Sequence, residues 1–306
     1  GHLTADIVRK MLKGEFAKQN DPQKIDFIQY ATDYNQQRYT LQKISYSTYY
    51  NADLYLKKFQ RFLTELTGEG LLYIPNLTID LIEKYKAYCI KLGNTKEGIN
   101  KMLTPLIKAA MYAADNDLLS AKVAANIKLS YFDLKERQYK SEVADNEIHY
   151  LTEAQMLQFV DLYQRVKFNR TREIMDMFLF AFHACGLRVS DIVTLEWTHI
   201  DWERCELSKN LVKGKVPHTI PLTDAALNIL KRWQNKNLNK RFVFNLLDST
   251  FDISDAERLD KTIKSKNRIL QTSLNEIGNK MELTFSLTMH VARHTFAVLA
   301  LNRGVT

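Results

Sequence analysis

Gly186-Leu187-Arg188-Val189-Ser190-Asp191 follows the apolar run Met175-Asp-Met-Phe-Leu-Phe-Ala-Phe-His-Ala-Cys185, and this junction decides how the chain is read. The run is long enough, and apolar on enough sides, to form a helix buried in a core. Gly186 supplies the backbone freedom that stops it. Ser190 is placed to cap a second helix with Asp191 and Ile192 in its first turn. Arg188 then sits at a tight junction between two core helices, where an unpaired guanidinium is expensive to desolvate. Two roles fit it from the hexapeptide alone. It pairs with Asp191 and pins the junction, or it is held there for a ligand.

The rest of the chain has the composition of a folded protein with a sizeable core. Its 306 residues favour two domains over one, with 45% hydrophobic and 25% charged residues. The sequence contains no apolar run of membrane-spanning length and no secretory leader at its start. Gly1-His2 reads as the scar of a cleaved tag, which places the natural start upstream. The three cysteines, Cys89, Cys185 and Cys205, predict a reducing cytoplasm and no disulfide framework. His183, Cys185, His199 and Cys205 lack the paired spacing of a zinc site, and a core role explains each better. The net charge is +8; residues 1–140 contribute 21 − 15 = +6 and the remainder 22 − 20 = +2. That asymmetry points to a polyanion gripped by the first half.

In chain order, residues 1–25 read as an appended arm with an amphipathic piece from Thr4 to Phe16. A helix is predicted over 25–38, and a second, capped by Ser47, ends at Gly68 and Gly70. A third opens at Pro75 and Thr78. Thr95 caps a fourth, whose outer faces carry Lys96, Lys101 and Lys108. Those lysines form either a solvated face or a surface laid against phosphates. A short helix closes the unit between Leu118 and Ile127, and residues 132–150 read as a polar linker. Thr152-Glu-Ala-Gln155 is a capping box that starts a new domain. There the helix after Asp191 is expected to run into Leu195-Glu-Trp197. Short strands then follow at 205–208, 211–212 and 218–222, with a basic hairpin tip at Lys213-Gly214-Lys215. Thr223 caps a further helix, Phe242-Val-Phe244 is extended, and another helix spans about 260–277. Thr288 caps the last.

On that last helix His290 and Arg293 share a face. With Arg188 and Lys213 they make two arginines, a histidine and a lysine, a set suited to a phosphodiester. Arginines clamp the non-bridging oxygens and neutralise the transition state. A lysine on a hairpin protonates a leaving 5′ oxygen, and a histidine moves a proton at neutral pH.

Three segments in this order resemble the catalytic domain of the tyrosine recombinases, the phage-integrase family. They are Gly186-Leu-Arg-Val-Ser-Asp191, Val212-Lys-Gly-Lys215 before Ile220-Pro-Leu222, and His290-Val-Ala-Arg-His-Thr-Phe-Ala297. The resemblance is strong over 151–306, looser over 26–131 and weakest over 1–25. It implies a mainly α protein: a helical, SAM-like core-binding domain, then a mostly helical catalytic domain with a small antiparallel sheet, together a clamp on DNA. By the same resemblance Arg188 and Arg293 bind phosphate and His290 belongs to the HxxR pair. Lys213 is the hairpin lysine, with Lys215 as the alternative, and Asp191 supports the first arginine. Thr95, Lys96, Lys101, Lys108 and Lys215 are candidate DNA contacts. The implied activity is DNA cutting and rejoining through a 3′-phosphotyrosyl intermediate, with no metal or cofactor, by an oligomer, in the family's manner a tetramer, on paired duplex sites.

The separate arm is similar to that of integrases of mobile elements such as conjugative transposons. The family's nucleophilic tyrosine lies beyond the second arginine, whereas the last of the fifteen tyrosines here is Tyr163. The expectation is therefore a chain that ends before its nucleophile and binds DNA without cleaving it. A type IB topoisomerase and a non-catalytic DNA-binding regulator on the same scaffold are the rival readings.

Overall fold

The computed structural model describes residues 22–134, 149–167, 169–236 and 238–304. The amphipathic piece expected over 4–16 and most of the linker expected over 132–150 lie outside the described residues. The chain divides into two compact units at residues 144 and 145.

Among its described residues the first unit is built from five α-helices: α1 (Phe27–Thr40), α2 (Tyr46–Thr67), α3 (Ile79–Lys91), α4 (Lys96–Asp115) and α5 (Ala121–Lys128). Each forms where the apolar spacing is helical, and the first four have a side-chain oxygen capping their start. Asp26 caps α1, Thr78 caps α3 and Thr95 caps α4, its hydroxyl accepting from the Gly98 N–H at 3.1 Å. Ser45, not Ser47, caps α2, which therefore starts two residues earlier than the spacing predicts. Tyr46 is buried, so the helix begins with a core contact that needs Ser45 in the extended position. Phe27, Phe59, Phe62, Tyr85, Leu103 and Leu106 meet in one apolar core. Lys86 is buried there too, its ammonium on the Ser130 carbonyl at 2.8 Å and over the Phe132 ring.

The second unit centres on the apolar run of the opening stretch. It forms α7 (Asn169–His183), preceded by α6 (Glu153–Arg165) and followed by the short α8 (Val189–Val193). The capping box of Thr152 and Gln155 closes in both directions. After α8 the helix does not continue to Trp197 as expected. Leu195 and Trp197 instead pair with Val243 and Arg241 through backbone hydrogen bonds of 2.9 and 3.0 Å. That pairing ends the helix at Thr194 and draws Glu196 out as extended chain, and Trp197–His199 is a single 3-10 turn.

An antiparallel sheet follows in the order β1 (Ile200–Asp201), β2 (Glu206–Asn210), β3 (Pro217–Pro221). Leu207 faces Ile220, and both are buried. Residues 211–212, expected as a strand, belong to the hairpin loop: Leu211 N–H closes it on the Val216 carbonyl, and the Val212 N–H is turned elsewhere. Helices α9 (Asp224–Lys236), α10 (Ala256–Lys280) and α11 (Met289–Asn302) complete the unit. Helix α10 starts and ends beyond the span expected, because Asp255 caps it and accepts from the Arg258 N–H.

Two polar ties hold this core. The Thr295 hydroxyl, fully buried on α11, accepts from the Leu151 N–H at 2.9 Å. The buried Asp176 accepts from the Tyr163 hydroxyl at 2.6 Å, from Arg232 at 2.7 Å and from the Trp233 indole at 3.1 Å. Burial, then the bond to Asp176, raises the Tyr163 phenol above its ordinary pKa. Tyr163 is thus a structural side chain committed to the core. Asp176→Ala leaves Tyr163 and Trp233 without their acceptor, while Arg232 stays partly solvated. The expected cost is about 3 kcal/mol, read as a lower urea midpoint at unchanged slope.

Candidate phosphate site

Arg188, His290 and Arg293 come together on one cavity of about 400 Å³. Each reaches it by a local rule of the chain. Helix α7 ends with Cys185 and Gly186 both at positive φ, 55° and 73°. The Gly186 and Leu187 N–H groups fold back onto the Ala181 carbonyl. Helix α8 then starts at Val189 with Arg188 itself as the extended N-cap residue. The expected cap, Ser190, lies inside the helix instead, because the reversal at Cys185 and Gly186 leaves Arg188 as the last extended residue before it.

Gly186 does a second job. A Cβ placed there would lie 3.1 Å from both Cα and Cγ of Arg293. Only glycine lets α11 approach this closely at positive φ. The Gly186 carbonyl then accepts from Arg293 Nη1 at 2.7 Å and fixes the direction of the guanidinium.

Among the described residues Arg188 forms no ion pair with Asp191. The fully buried Asp191 instead receives the Val212 N–H at 2.8 Å and faces the Lys209 ammonium at 3.8 Å. Lys209 also donates to the Asp191 carbonyl and the Thr194 hydroxyl. Burial lowers the Lys209 pKa, and the nearby Asp191 and Glu196 carboxylates oppose that shift. Asp191 therefore ties the root of the β2–β3 hairpin to helix α8. Lys213 and Lys215 sit exposed on that hairpin, and neither lines the cavity.

The cavity is electropositive. Partial burial, then His294, Arg293 and Arg188, push the His290 imidazole below its usual pKa. The rings of His290 and His294 meet edge to face at 4.2 Å. Three residues in or behind the site were not singled out from sequence: Lys209, and the two amides Asn267 and Gln271 on α10, which line the cavity. Strand alternation does carry the signal for Lys209, since it falls on the same face as the buried Leu207.

In the first unit the candidate DNA contacts separate. Thr95 is a helix cap, Lys96 lies over the Phe132 ring, and Lys101 pairs with Glu97 at 2.7 Å. Lys108 has no carboxylate partner among the described residues. Partial burial and then the neighbouring Arg38 lower its pKa. Arg38, also not singled out from sequence, stands near the Tyr34 ring. Two adjacent cations without a counter-charge suit an anionic ligand.

Residues 149–306 match the phage integrase family, and residues 26–129 match the phage integrase SAM-like domain. The chain belongs to the phage integrase family, the tyrosine recombinases. Over 249 residues it is 24% identical to the tyrosine recombinase XerC of Pediococcus pentosaceus, covering 80% of this chain and 75% of that protein. Its fold is shared with the Tn1549 transposon integrase (residues 82–397), solved with circular intermediate DNA. That match has a TM-score of 0.63 at 17% identity and covers 92% of this chain and 89% of that one. A lambda integrase solved as a tetramer on a Holliday junction matches with a TM-score of 0.61 at 16% identity, covering 98% and 84%. No helix among the described residues is long and apolar enough to cross a membrane.

Two outcomes test this geometry. Gly186→Ala forces a Cβ against Arg293 at a left-handed backbone position and should destabilise the fold by about 2–4 kcal/mol, visible in a urea melt. In an NMR titration the His290 imidazole should titrate below 6.5 in the free protein. Adding a phosphodiester duplex should move that midpoint upward, as the anion offsets Arg188 and Arg293.

Proposed function

We propose that this chain is a site-specific DNA recombinase of the integrase type that grips double-stranded DNA and holds one phosphodiester between Arg188 and Arg293. The convergence of Arg188, His290 and Arg293 on one cavity carries this reading. The relatives solved on DNA support it. The arginines bind the non-bridging oxygens and offset the charge that develops as phosphorus becomes pentacoordinate. His290, whose pKa is lowered by partial burial and then by its cationic neighbours, is suited to take or return a proton. Lys213, on a hairpin anchored through Val212 and Asp191, protonates the leaving 5′ oxygen, with Lys215 as the alternative.

The reaction of the family needs a tyrosine that attacks the phosphorus, expels the 5′ oxygen and leaves a 3′-phosphotyrosyl link, which a 5′-hydroxyl then reseals. The last tyrosine of this sequence, Tyr163, is hydrogen-bonded to Asp176 in the core, so in this reading residues 1–306 bind the DNA and do not by themselves cleave it. The covalent link stores the bond energy, so no nucleotide or metal is consumed. In this reading residues 26–131 form the core-binding domain, 132–150 the linker and 151–306 the catalytic domain, with 1–25 an arm. Lys108 and Arg38 contact the phosphate backbone, and Thr95, Lys96 and Lys101 flank them. The working form is a tetramer on paired sites, and its place is the cytoplasm.

Duplex binding measured against salt tests the proposal. The affinity should fall steeply with salt, with a log–log slope near −0.9 per phosphate contact. Arg188→Ala, Arg293→Ala and Lys108→Ala should each weaken binding and reduce that slope by about 1. Binding that ignores both salt and all three substitutions would sink the reading.

A further inference from the structure

Helix α10 presents two uncharged amides to the same cavity that holds the arginines. Its inward face, Leu270, Leu274 and Ile277, is buried in the core. At Gly278 a Cβ would stand 3.0 Å from the Leu287 Cβ, so the helix is pressed close against the segment leading into α11. That packing fixes the rotation of α10. Asn267 and Gln271, one turn apart on one face, consequently line the cavity beside Arg188, His290 and Arg293.

The first half of the helix is spent differently, with Lys261 paired to Glu257 and Lys264 to Asp260. Asn267 and Gln271 have no hydrogen-bond partner among the described residues. An amide adds no charge to a phosphate grip that two arginines already supply. What it adds is a donor and an acceptor side by side, the pattern that matches the N6 and N7 edge of adenine.

We propose that Asn267 and Gln271 are specificity-determining residues that read an adenine edge beside the phosphate held by Arg188 and Arg293. The inference rests on the phosphate-site reading given above. Backbone contacts to sugar or phosphate are the competing use of the same amides, and they carry no sequence information.

Selection from a random duplex library separates the two. The full chain, Asn267→Ala, Gln271→Ala and Arg188→Ala are each used to enrich bound DNA, and the selected sites are sequenced. The unmodified chain should select an A·T pair at one or two positions. Each amide variant should lose that preference by on the order of tenfold to a hundredfold while keeping the other selected positions, which is also its folding control. Arg188→Ala should bind more weakly with the preference intact. A site with no adenine preference, amide variants that select the same site as the unmodified chain, or amide variants that lose affinity evenly over all sequences would each overturn the inference alone. No enrichment by the unmodified chain, or full-strength binding by Arg188→Ala, would sink the phosphate-site reading and the inference with it.

Discussion

The second unit depends on one close approach, that of Gly186 to Arg293. A Cβ at residue 186 would press on Arg293 at 3.1 Å from a positive-φ backbone, and the carbonyl of that residue takes the Arg293 guanidinium at 2.7 Å. Helix α7 ends three residues before it, α8 begins three residues after it and α11 passes alongside. Both arginines of the site therefore take their positions from the same turn. Long arginine side chains lose much rotamer freedom when they are ordered. Holding one of them through a backbone carbonyl moves that cost from ligand binding into folding.

A second constraint is electrostatic. Asp191 and Lys209 are both buried, and such a pair adds little to net stability because both charges are desolvated. It does specify geometry. The carboxylate turns the Val212 N–H inward, and the ammonium gathers the Asp191 carbonyl and the Thr194 hydroxyl. The hairpin that bears Lys213 and the helix that follows Arg188 are thereby referred to one point. Among the described residues the cations facing the cavity have no carboxylate partner, and an anion between them would offset their mutual repulsion.

Much of the architecture was legible in the sequence because it rests on local chemistry. Gly68, Thr95 and the Thr152–Gln155 box act within four residues of themselves, and helical spacing exposes the faces of α2 and α4. Where the reading erred, a distant partner decided. Residues 194–197 leave the helix because residues 241–243 pair with them. Val212 leaves the strand because Asp191 accepts its N–H. Ser190 is the better cap by residue type, yet the turn at Cys185 and Gly186 gives that place to Arg188. In the site, Arg188, His290 and Arg293 stood out as charged or titratable residues at helix starts. Asn267 and Gln271 carry no charge, and only the tertiary rotation of α10 shows where they point. The partner of Asp191 was misassigned for a similar reason, since Lys209 lies on another element eighteen residues on.

The bond between the Leu151 N–H and the Thr295 hydroxyl joins two distant parts of the chain. Leu151 is a fully buried residue near the start of the second unit, and Thr295 lies two residues beyond Arg293. The first buried residue of this core is therefore stitched to the helix that carries His290 and Arg293 rather than to a surface loop, so the start of the unit and its last described helix are ordered together.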